Sequence, residues 1–157
     1  MKYQPLILFL FFILLINACS RQETQQTQKT IPLVPSDDVS SLTPKEVAAL
    51  YFQSWNGKKY DVMYSLISDG FKQIEPTAKT FEDFKAYMSK FYETSSGVEI
   101  VEANEAYQSE KEAGVNYKIE IINKDGAKKE FSSAYTLKKR ANGWKLIHPY
   151  GKNIDTS

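Results

Sequence analysis

An α+β fold is predicted by two successive spacings of apolar residues along the 157-residue chain. Apolar residues recur at helical spacing from Val47 to Phe91, and then at every second position from Val115 to Leu137. Asn142-Gly143 is a strong hairpin signal, because both residue types tolerate positive φ. An antiparallel ribbon with one apolar face needs a cover, and the preceding helices can supply it. The predicted fold is therefore three N-terminal helices packed in a curled antiparallel sheet of about four strands.

The helices are predicted from their caps and apolar stripes. At Thr43-Pro44-Lys45-Glu46, threonine caps the first helix, proline takes its first position and glutamate reaches back to the cap amide. Asn56-Gly57 is expected to close that helix in a left-handed cap. A second helix is predicted over residues 60–67, whereas residues 71–79 are expected to be irregular. A third helix begins after Thr80, and its stripe consists of Phe81, Phe84, Tyr87, Met88 and Phe91.

Strand alternation predicts which side chains face the helices. The inward sets are Val115, Tyr117, Ile119 and Ile121, and then Phe131, Ser133, Tyr135 and Leu137. The turn between these two strands is Lys124-Asp125-Gly126. Residues 98–108 change phase, since the apolar residues up to Ile100 imply one face and those from Val101 imply the other. This change indicates a bulge or bend in the first strand.

The N-terminus has the pattern of a targeting signal. Lys2 precedes an unbroken apolar run from Leu6 to Ile16, and about 11 apolar residues are too few to span a bilayer but fit a signal-peptide core. Leu15-Ile16-Asn17-Ala18-Cys19 resembles the lipobox of prokaryotic lipoproteins, with isoleucine where leucine is usual. The resemblance implies cleavage before Cys19 and lipid attachment to it, with acyl chains such as palmitate. An ordinary signal peptide with a chance cysteine is the alternative.

The domain organisation follows from this signal and from composition. Residues 20–42 are rich in Gln, Thr, Ser and Pro, which predicts a flexible tether. We therefore expect a signal peptide at 1–18, a tether at 19–42, a folded domain at 43–151 and a short polar tail at 152–157. The expected location is extracytoplasmic, with a lipid anchor in the cell membrane, or in the outer membrane if the source has one.

The numbers of charged residues and of possible metal ligands argue against two classes of function. The chain carries 20 Lys and Arg against 19 Asp and Glu, and removal of the signal segment with Lys2 leaves a neutral protein. A nucleic-acid groove needs a concentrated basic surface, so no nucleic-acid partner is expected. One histidine and one cysteine are too few ligands for zinc, and no phosphate-binding loop is present. We therefore expect neither a metal nor a cofactor.

Four motifs cover nearly all of the predicted domain. They are Val47 to Trp55 with Asn56-Gly57-Lys58-Lys59-Tyr60-Asp61, then Met63-Tyr64-Ser65-Leu66-Ile67-Ser68, then Phe81-Glu82-Asp83-Phe84, and Gly143-Trp144-Lys145-Leu146-Ile147-His148. They resemble the nuclear transport factor 2-like superfamily, also called cystatin-like, and within it the small domain that opens beta-lactam-resistant penicillin-binding proteins. The resemblance implies a cone in which a curled sheet wraps over helices. No transpeptidase region is expected, because the given sequence ends at Ser157.

Enzymes of this superfamily, such as ketosteroid isomerase and polyketide cyclases, place a carboxylate or histidine inside the cone as general acid or base. That chemistry needs an ionisable group in an apolar pocket. The two clear inward sets contain no carboxylate, so only Glu102 or Glu105 could supply one. His148, the sole histidine, lies at a strand end beside Pro149, which favours a structural or rim role over a catalytic one.

Several aromatic residues and the histidine could line a small-molecule cavity. They are Trp55, Tyr64, Tyr117, Tyr135, Trp144 and His148. Packed core is the favoured interpretation, because aromatic residues at regular spacing usually serve burial. Asp61 and Asp83 lie near helix starts, where a negative charge suits the helix dipole, and no catalytic residue is assigned.

The expected function is a membrane-anchored binding or interaction module for a small apolar ligand or an envelope protein. The alternative is a small cone-fold enzyme of the isomerase or cyclase type acting on an apolar ligand. The sequence leaves the oligomeric state open, a homodimer included.

Overall fold

The computed structural model describes residues 31–34 and 38–147. The helices are α1 (Pro44–Asn56), α2 (Tyr60–Leu66), α3 (Asp69–Ile74), a 3₁₀ turn (Pro76–Ala78), α4 (Phe81–Ser89) and α5 (Phe91–Thr94). The strands are β1 (Ser95–Gln108), β2 (Glu112–Asn123), β3 (Lys128–Arg140) and β4 (Gly143–Ile147). They form one antiparallel sheet in the order β1-β2-β3-β4, so the predicted α+β fold is confirmed. In this part of the chain, no helix is long and apolar enough to span a membrane.

The start of α1 confirms the predicted capping box, whereas its end differs from the prediction. The Thr43 hydroxyl accepts the Glu46 N–H at 3.3 Å, and the Glu46 carboxylate accepts the Thr43 N–H at 2.8 Å. The prediction of a left-handed Gly57 is wrong, because Gly57 has φ −79° and its N–H continues the helical bonding to the Gln53 carbonyl at 2.9 Å. Lys58 takes the left-handed conformation instead, with φ 55°.

The region between α2 and β1 contains an additional helix, and the helix predicted after Thr80 is divided into two. The Ser68 hydroxyl accepts the Phe71 N–H at 3.2 Å and caps α3, where the sequence predicts irregular structure. The predicted third helix is two pieces, because the Lys90 N–H bonds to the Tyr87 carbonyl and ends α4. Its buried stripe is also narrower than predicted, since Tyr87 is 54% exposed.

The phase change in β1 is a bulge, as predicted. The pairing of β1 with β2 shifts register between Ile100 and Glu102, and again between Glu105 and Tyr107. Ile100 lies opposite Ile119, and after the first shift Ala103 lies opposite Tyr117. The bulge therefore returns apolar side chains to the inner face, which the helices cover.

The helices cover only part of the inner face. α1 packs on β1, β2 and β4 and reaches β3 at Tyr135, whereas α2 contacts β4. Tyr135 and Leu137 are buried, whereas Phe131 and Ser133, predicted to point inward, are exposed on that same face. The prediction of burial is wrong for these two residues because the first half of β3 extends beyond its helical cover.

Part of the predicted tether lies against the domain. The Gln53 side chain donates to the Pro32 carbonyl and accepts the Val34 N–H, both at 2.9 Å. Gly143, with φ 101°, is in close contact with the backbone of Val39, and a Cβ at Gly143 would lie 2.8 Å from the Val39 carbonyl oxygen. Residues 31–34 and 38–42 therefore pack on α1 and on the β3–β4 hairpin, upstream of the predicted domain start at 43.

Candidate functional site

Three aromatic side chains form a continuous surface on the inner face of β2 and β3. This aromatic wall consists of Tyr117, Tyr135 and Phe131. The Tyr117 and Tyr135 rings are stacked, with centroids 4.6 Å apart, and the Phe131 ring lies 6.5 Å from Tyr117. Tyr117 and Tyr135 are buried, whereas Phe131 is 49% exposed. The wall thus begins in the core and ends at the surface.

The buried end of the wall is fixed by α1. The Phe52 ring lies 4.8 Å from Tyr117 and 5.8 Å from Tyr135, and Tyr51 meets Tyr135 edge-on at 6.0 Å. Phe52 and Tyr51 are themselves almost fully buried. Because α1 and the sheet hold both sides of these contacts, the wall is a rigid surface rather than a set of mobile rings.

The hydroxyl groups of the wall, and that of the neighbouring Tyr51, are neutral at physiological pH. Burial raises the pKa of Tyr51 and of Tyr135 well above the usual value. Burial also raises the pKa of Tyr117, although hydrogen bonds with Ser133 and Tyr135 act in the opposite direction. The wall therefore presents apolar rings and uncharged hydroxyls, which suits an uncharged or apolar contact partner.

The residues predicted to line a pocket do not form one group. Tyr117 and Tyr135 belong to the wall, but Trp55 packs on Phe91 at 4.6 Å, and the Tyr64 hydroxyl donates to the Ala78 carbonyl at 3.2 Å. Trp144 is buried beneath Lys139, whose ammonium lies 5.3 Å from the indole centroid. His148 lies outside the described residues, so its predicted structural or rim role stays a prediction.

Sequence reasoning missed the exposure of Phe131 and Ser133. No signal in the sequence identifies it, because the exposure depends on where α1 crosses the sheet and not on the alternation of β3 itself.

The carboxylates do not form a site of the enzymatic type. Glu102 lies opposite Lys118 on the outer face of the sheet, where both border an open groove of about 550 Å³. Glu105 lies opposite Val115, on the inner-face register, but its side chain is exposed at the end of β1. Neither carboxylate has the apolar surroundings that acid–base chemistry in a cone requires.

Other acidic residues lie at helix starts or form ion pairs between strands. The Asp83 N–H donates to the Thr80 hydroxyl at 3.1 Å, as expected for the first turn of α4, and Asp61 lies in the first turn of α2. On the outer face, Lys118 pairs with Glu130, and Lys128 pairs with Glu120 at 2.7 Å. Residues 31–34 and 38–147 contain no group of three or more His, Cys, Asp and Glu side chains that could hold a metal ion.

Residues 43–149 match the model of the NTF2-like N-terminal transpeptidase domain family. The chain belongs to this family. The match begins at the capping threonine of α1 and includes every helix and strand of the NTF2-like domain. No curated protein sequence matches the chain significantly.

Solved structures similar to this NTF2-like domain come from several bacteria. A protein of unknown function with a cystatin-like fold from Nostoc punctiforme is 16% identical, with TM-score 0.50 over 65% of this chain and 81% of that chain. A protein from Thiobacillus denitrificans, described as a calcium/calmodulin-dependent protein kinase type II association domain, is 14% identical, with TM-score 0.50 over 74% and 94%. A protein from Campylobacter jejuni, described as an NTF2-like transpeptidase, is 14% identical, with TM-score 0.41 over 67% of this chain and 97% of that chain. At these identities the similarity concerns the fold alone.

Proposed function

We propose that this chain is a lipid-anchored extracytoplasmic protein whose NTF2-like domain is a binding or interaction module. One observation carries the binding proposal: the aromatic wall emerges from the core at Phe131, whose side chain is exposed together with that of Ser133. An exposed apolar surface that continues into a preformed aromatic core is a usual place for a ligand or partner to bind.

The chemistry of the wall supports a small apolar ligand, or an apolar segment of an envelope protein, as the partner. Its rings offer flat contact area, and the hydroxyls of Tyr117 and Ser133 can exchange hydrogen bonds at its edge. The wall itself holds no charged group that would select an ionic ligand. The enzyme alternative has less support, because none of the buried residues in the described part of the chain is an Asp or Glu.

The anchor proposal rests on the sequence before the domain. The apolar run from Leu6 to Ile16 and the single cysteine, Cys19, are typical of a lipoprotein precursor. Because residues 31–34 lie against α1, only residues 20–30 separate the lipidated cysteine from the packed body. Fully extended, such a segment spans at most about 40 Å, at 3.3–3.6 Å per residue. In this proposal the folded domain therefore lies close to the membrane surface.

The binding proposal is tested with an uncharged aromatic fluorophore, 1-aminoanthracene, added to the mature chain carrying Cys19→Ser. Phe131→Ala should reduce the bound-probe fluorescence several-fold, because it removes the exposed end of the wall. Ile74→Ala is the matched control, since Ile74 is 55% exposed but lies on α3, away from the wall. Equal fluorescence from both variants, with circular dichroism unchanged, would overturn the binding proposal.

The anchor proposal is tested in a bacterial host by metabolic labelling with an alkyne analogue of palmitate. The parent chain should carry the label and fractionate with membranes, whereas Cys19→Ser should lose the label. Ser20→Ala is the control for a nearby change that keeps the cysteine. An unlabelled parent chain would contradict the proposed lipidation.

A further inference from the structure

The outer face of the sheet carries a groove on the opposite side of the strands from the aromatic wall. Its volume of about 550 Å³ lies within the range of about 300–1,000 Å³ that is usual for small-molecule sites. The groove crosses β1, β2 and β3, and five of the six outer-face side chains that line it are exposed, Lys118 being partly buried. These side chains are Glu102, Asn104, Asn116, Lys118, Ser132 and Ala134.

The groove exists because the residues of β3 on this face have short side chains. They are Ser132, Ala134 and Thr136, opposite Lys118, Asn116 and Gly114 of β2. Farther along the same face, longer side chains form ion pairs: Lys128 pairs with Glu120 at 2.7 Å. The outer face is therefore filled by charged pairs at one end of the strands and open at the other.

A fixed aromatic ring stands at one end of the groove. Tyr107 lies opposite Gly114, and a Cβ at Gly114 would lie 2.3 Å from Cε1 of the ring, so the ring rests on the glycine backbone. The Tyr107 hydroxyl donates to the Glu112 carboxylate at 2.8 Å. Although it is held at both points, Tyr107 is 43% exposed. Such a ring offers a flat contact surface that does not have to be ordered when a ligand binds.

Two side-chain amides meet in the middle of the groove. Asn104 lies opposite Asn116, and Asn116 is the next outer-face residue after Gly114 along β2. Asparagine is depleted in strands, so strand stability does not account for a cross-strand pair of asparagines. The Asn104 amide donates to Glu102, whereas the Asn116 amide has no hydrogen-bond partner within residues 31–34 and 38–147. Asn116 therefore offers two donors and one acceptor oxygen to a ligand.

The charges that border the groove are balanced. Glu102 lies opposite Lys118, so one carboxylate and one ammonium group stand side by side. A surface of this kind selects neither an anion nor a cation. An exposed ring next to amide donors and acceptors instead suits a ligand that has both apolar C–H faces and neutral hydrogen-bonding groups. Sugars have both.

We propose that this groove binds a short uncharged glycan. The Tyr107 ring contacts the C–H face of one sugar ring, and Asn116 and Asn104 exchange hydrogen bonds with hydroxyl or acetamido groups of the next. The four residues from Gly114 to Lys118 span about 13 Å, which is a suitable length for a disaccharide or a trisaccharide. The proposal does not depend on the aromatic wall or its ligand.

A second copy of the chain fits this face less well than a glycan does. A two-fold interface places the same surface patch on both partners. Two grooves brought face to face would enclose a void instead of making contact. A glycan, by contrast, is narrow enough to lie within the groove and to contact its floor and the Tyr107 ring together.

Binding is tested by two-dimensional ¹⁵N–¹H NMR of the mature chain carrying Cys19→Ser, titrated with N,N′,N″-triacetylchitotriose to roughly 10 mM. Saturable shifts are expected at the amides of residues 102–107, 114–118 and 132–134, with a Kd near roughly 1 mM because the groove is open. The affinity should not change in about 0.5 M NaCl, where attraction between charges is screened. The absence of saturable shifts, or shifts confined to other residues, would overturn the proposal.

Variants of the lining assign the binding to the groove. Ala134→Gln fills the groove without removing a hydrogen bond and should weaken binding at least tenfold. Tyr107→Ala and Asn116→Ala should each weaken it roughly three- to tenfold, the usual range for one ring contact or one hydrogen bond. Tyr107→Phe keeps the ring and should bind as the parent does.

Tyr87→Ala is the matched control for loss of an exposed tyrosine, because Tyr87 is 54% exposed but lies on α4. Its affinity should equal that of the parent, and the dispersion of each spectrum reports whether the variant is folded. Parent-like affinity of folded Ala134→Gln would overturn the groove as the site. Shifts of the same amides when the protein alone is concentrated would assign the face to a second copy and would also overturn the proposal.

Discussion

The side-chain oxygen of Asn56 accepts the backbone N–H of Val98 at 3.2 Å, which joins the end of α1 to the start of β1. The bond lies beside a register shift between Ser95 and Gly97, where β2 pairing is interrupted. Gly97 permits the close approach, because a Cβ there would lie 3.0 Å from the same Asn56 oxygen. A side chain from the helix thus satisfies a backbone donor at the irregular start of the strand.

Asn56→Ala should reduce the free energy of unfolding by about 1–3 kcal/mol, because it leaves the Val98 amide without its acceptor. Urea denaturation followed by circular dichroism measures the change. Asn116→Ala, at an exposed position on the outer face of the sheet, is the control and should cost less than about 0.5 kcal/mol. Equal losses for the two variants would show that the Asn56 bond contributes nothing specific.

This contact also shows what the sequence could and could not predict. Local signals predicted the local features: the Thr43 capping box, the Thr80 cap and the bulge in residues 98–108. The Asn56–Val98 bond joins residues far apart in sequence, and no pattern in a single sequence identifies it. The left-handed residue shifted from Gly57 to Lys58 for a related reason, because the chain must turn there into α2.

The candidate site was likewise predictable from the sequence only in part. Alternation placed Tyr117, Tyr135, Phe131 and Ser133 on one face, and that face is correct. Which of them are covered depends on where α1 crosses the sheet, and this crossing is a tertiary property that strand periodicity does not contain. Trp55 and Tyr64 were grouped with them by residue type alone, and the fold sends them to other contacts.

Two variants of Trp55 separate the stability contributed by packing of its ring from that contributed by its indole N–H. Its ring packs on Phe91 and Phe52, and its indole N–H is buried with no hydrogen-bond partner among the described residues. Trp55→Ala should cost about 3 kcal/mol, because the stacking is lost and the side chain is only partly buried. Trp55→Phe keeps an aromatic ring and removes the unpaired donor, so it should cost less than about 1 kcal/mol. If both variants lose the same stability in urea, the indole N–H must form a bond that matters.

Substitution of Ser54, unlike that of Asn56 or Trp55, is expected to increase the stability of the protein. Its side chain is 2% exposed, and its hydroxyl has no hydrogen-bond partner among residues 31–34 and 38–147. Ser54→Ala removes this buried polar atom and raises the helix propensity of α1, so it should increase the unfolding free energy by about 0.5–1 kcal/mol. Thermal and urea unfolding should both show the gain. A loss above about 1 kcal/mol would mean that the hydroxyl is bonded in solution.

The buried tyrosines predict a steep loss of stability in alkali. Burial raises the pKa of Tyr51 and Tyr135 above the value near 10 that both have in the unfolded chain. Below pH 10 both residues keep their protons in the folded and unfolded states, so the full stability is present. Above pH 10 the unfolded chain releases protons that the folded protein retains, and stability falls until the folded pKa is reached.

Each such tyrosine should lower the unfolding free energy by about 1.4 kcal/mol per pH unit in this window. Buried Lys145 acts oppositely because burial lowers its pKa, whereas Lys118 and Lys128, whose pKa values are raised by Glu130 and Glu120, act in the same direction as the tyrosines. The difference in slope between the parent chain and a Tyr→Phe variant, measured by urea unfolding at pH 10.5 and at pH 11.5, therefore isolates that tyrosine. Tyr135→Phe and Tyr51→Phe should each flatten the slope by about 1.4 kcal/mol per unit. An unchanged slope in Tyr135→Phe would show that this hydroxyl ionises without unfolding the domain, and that the buried end of the aromatic wall is open to solvent.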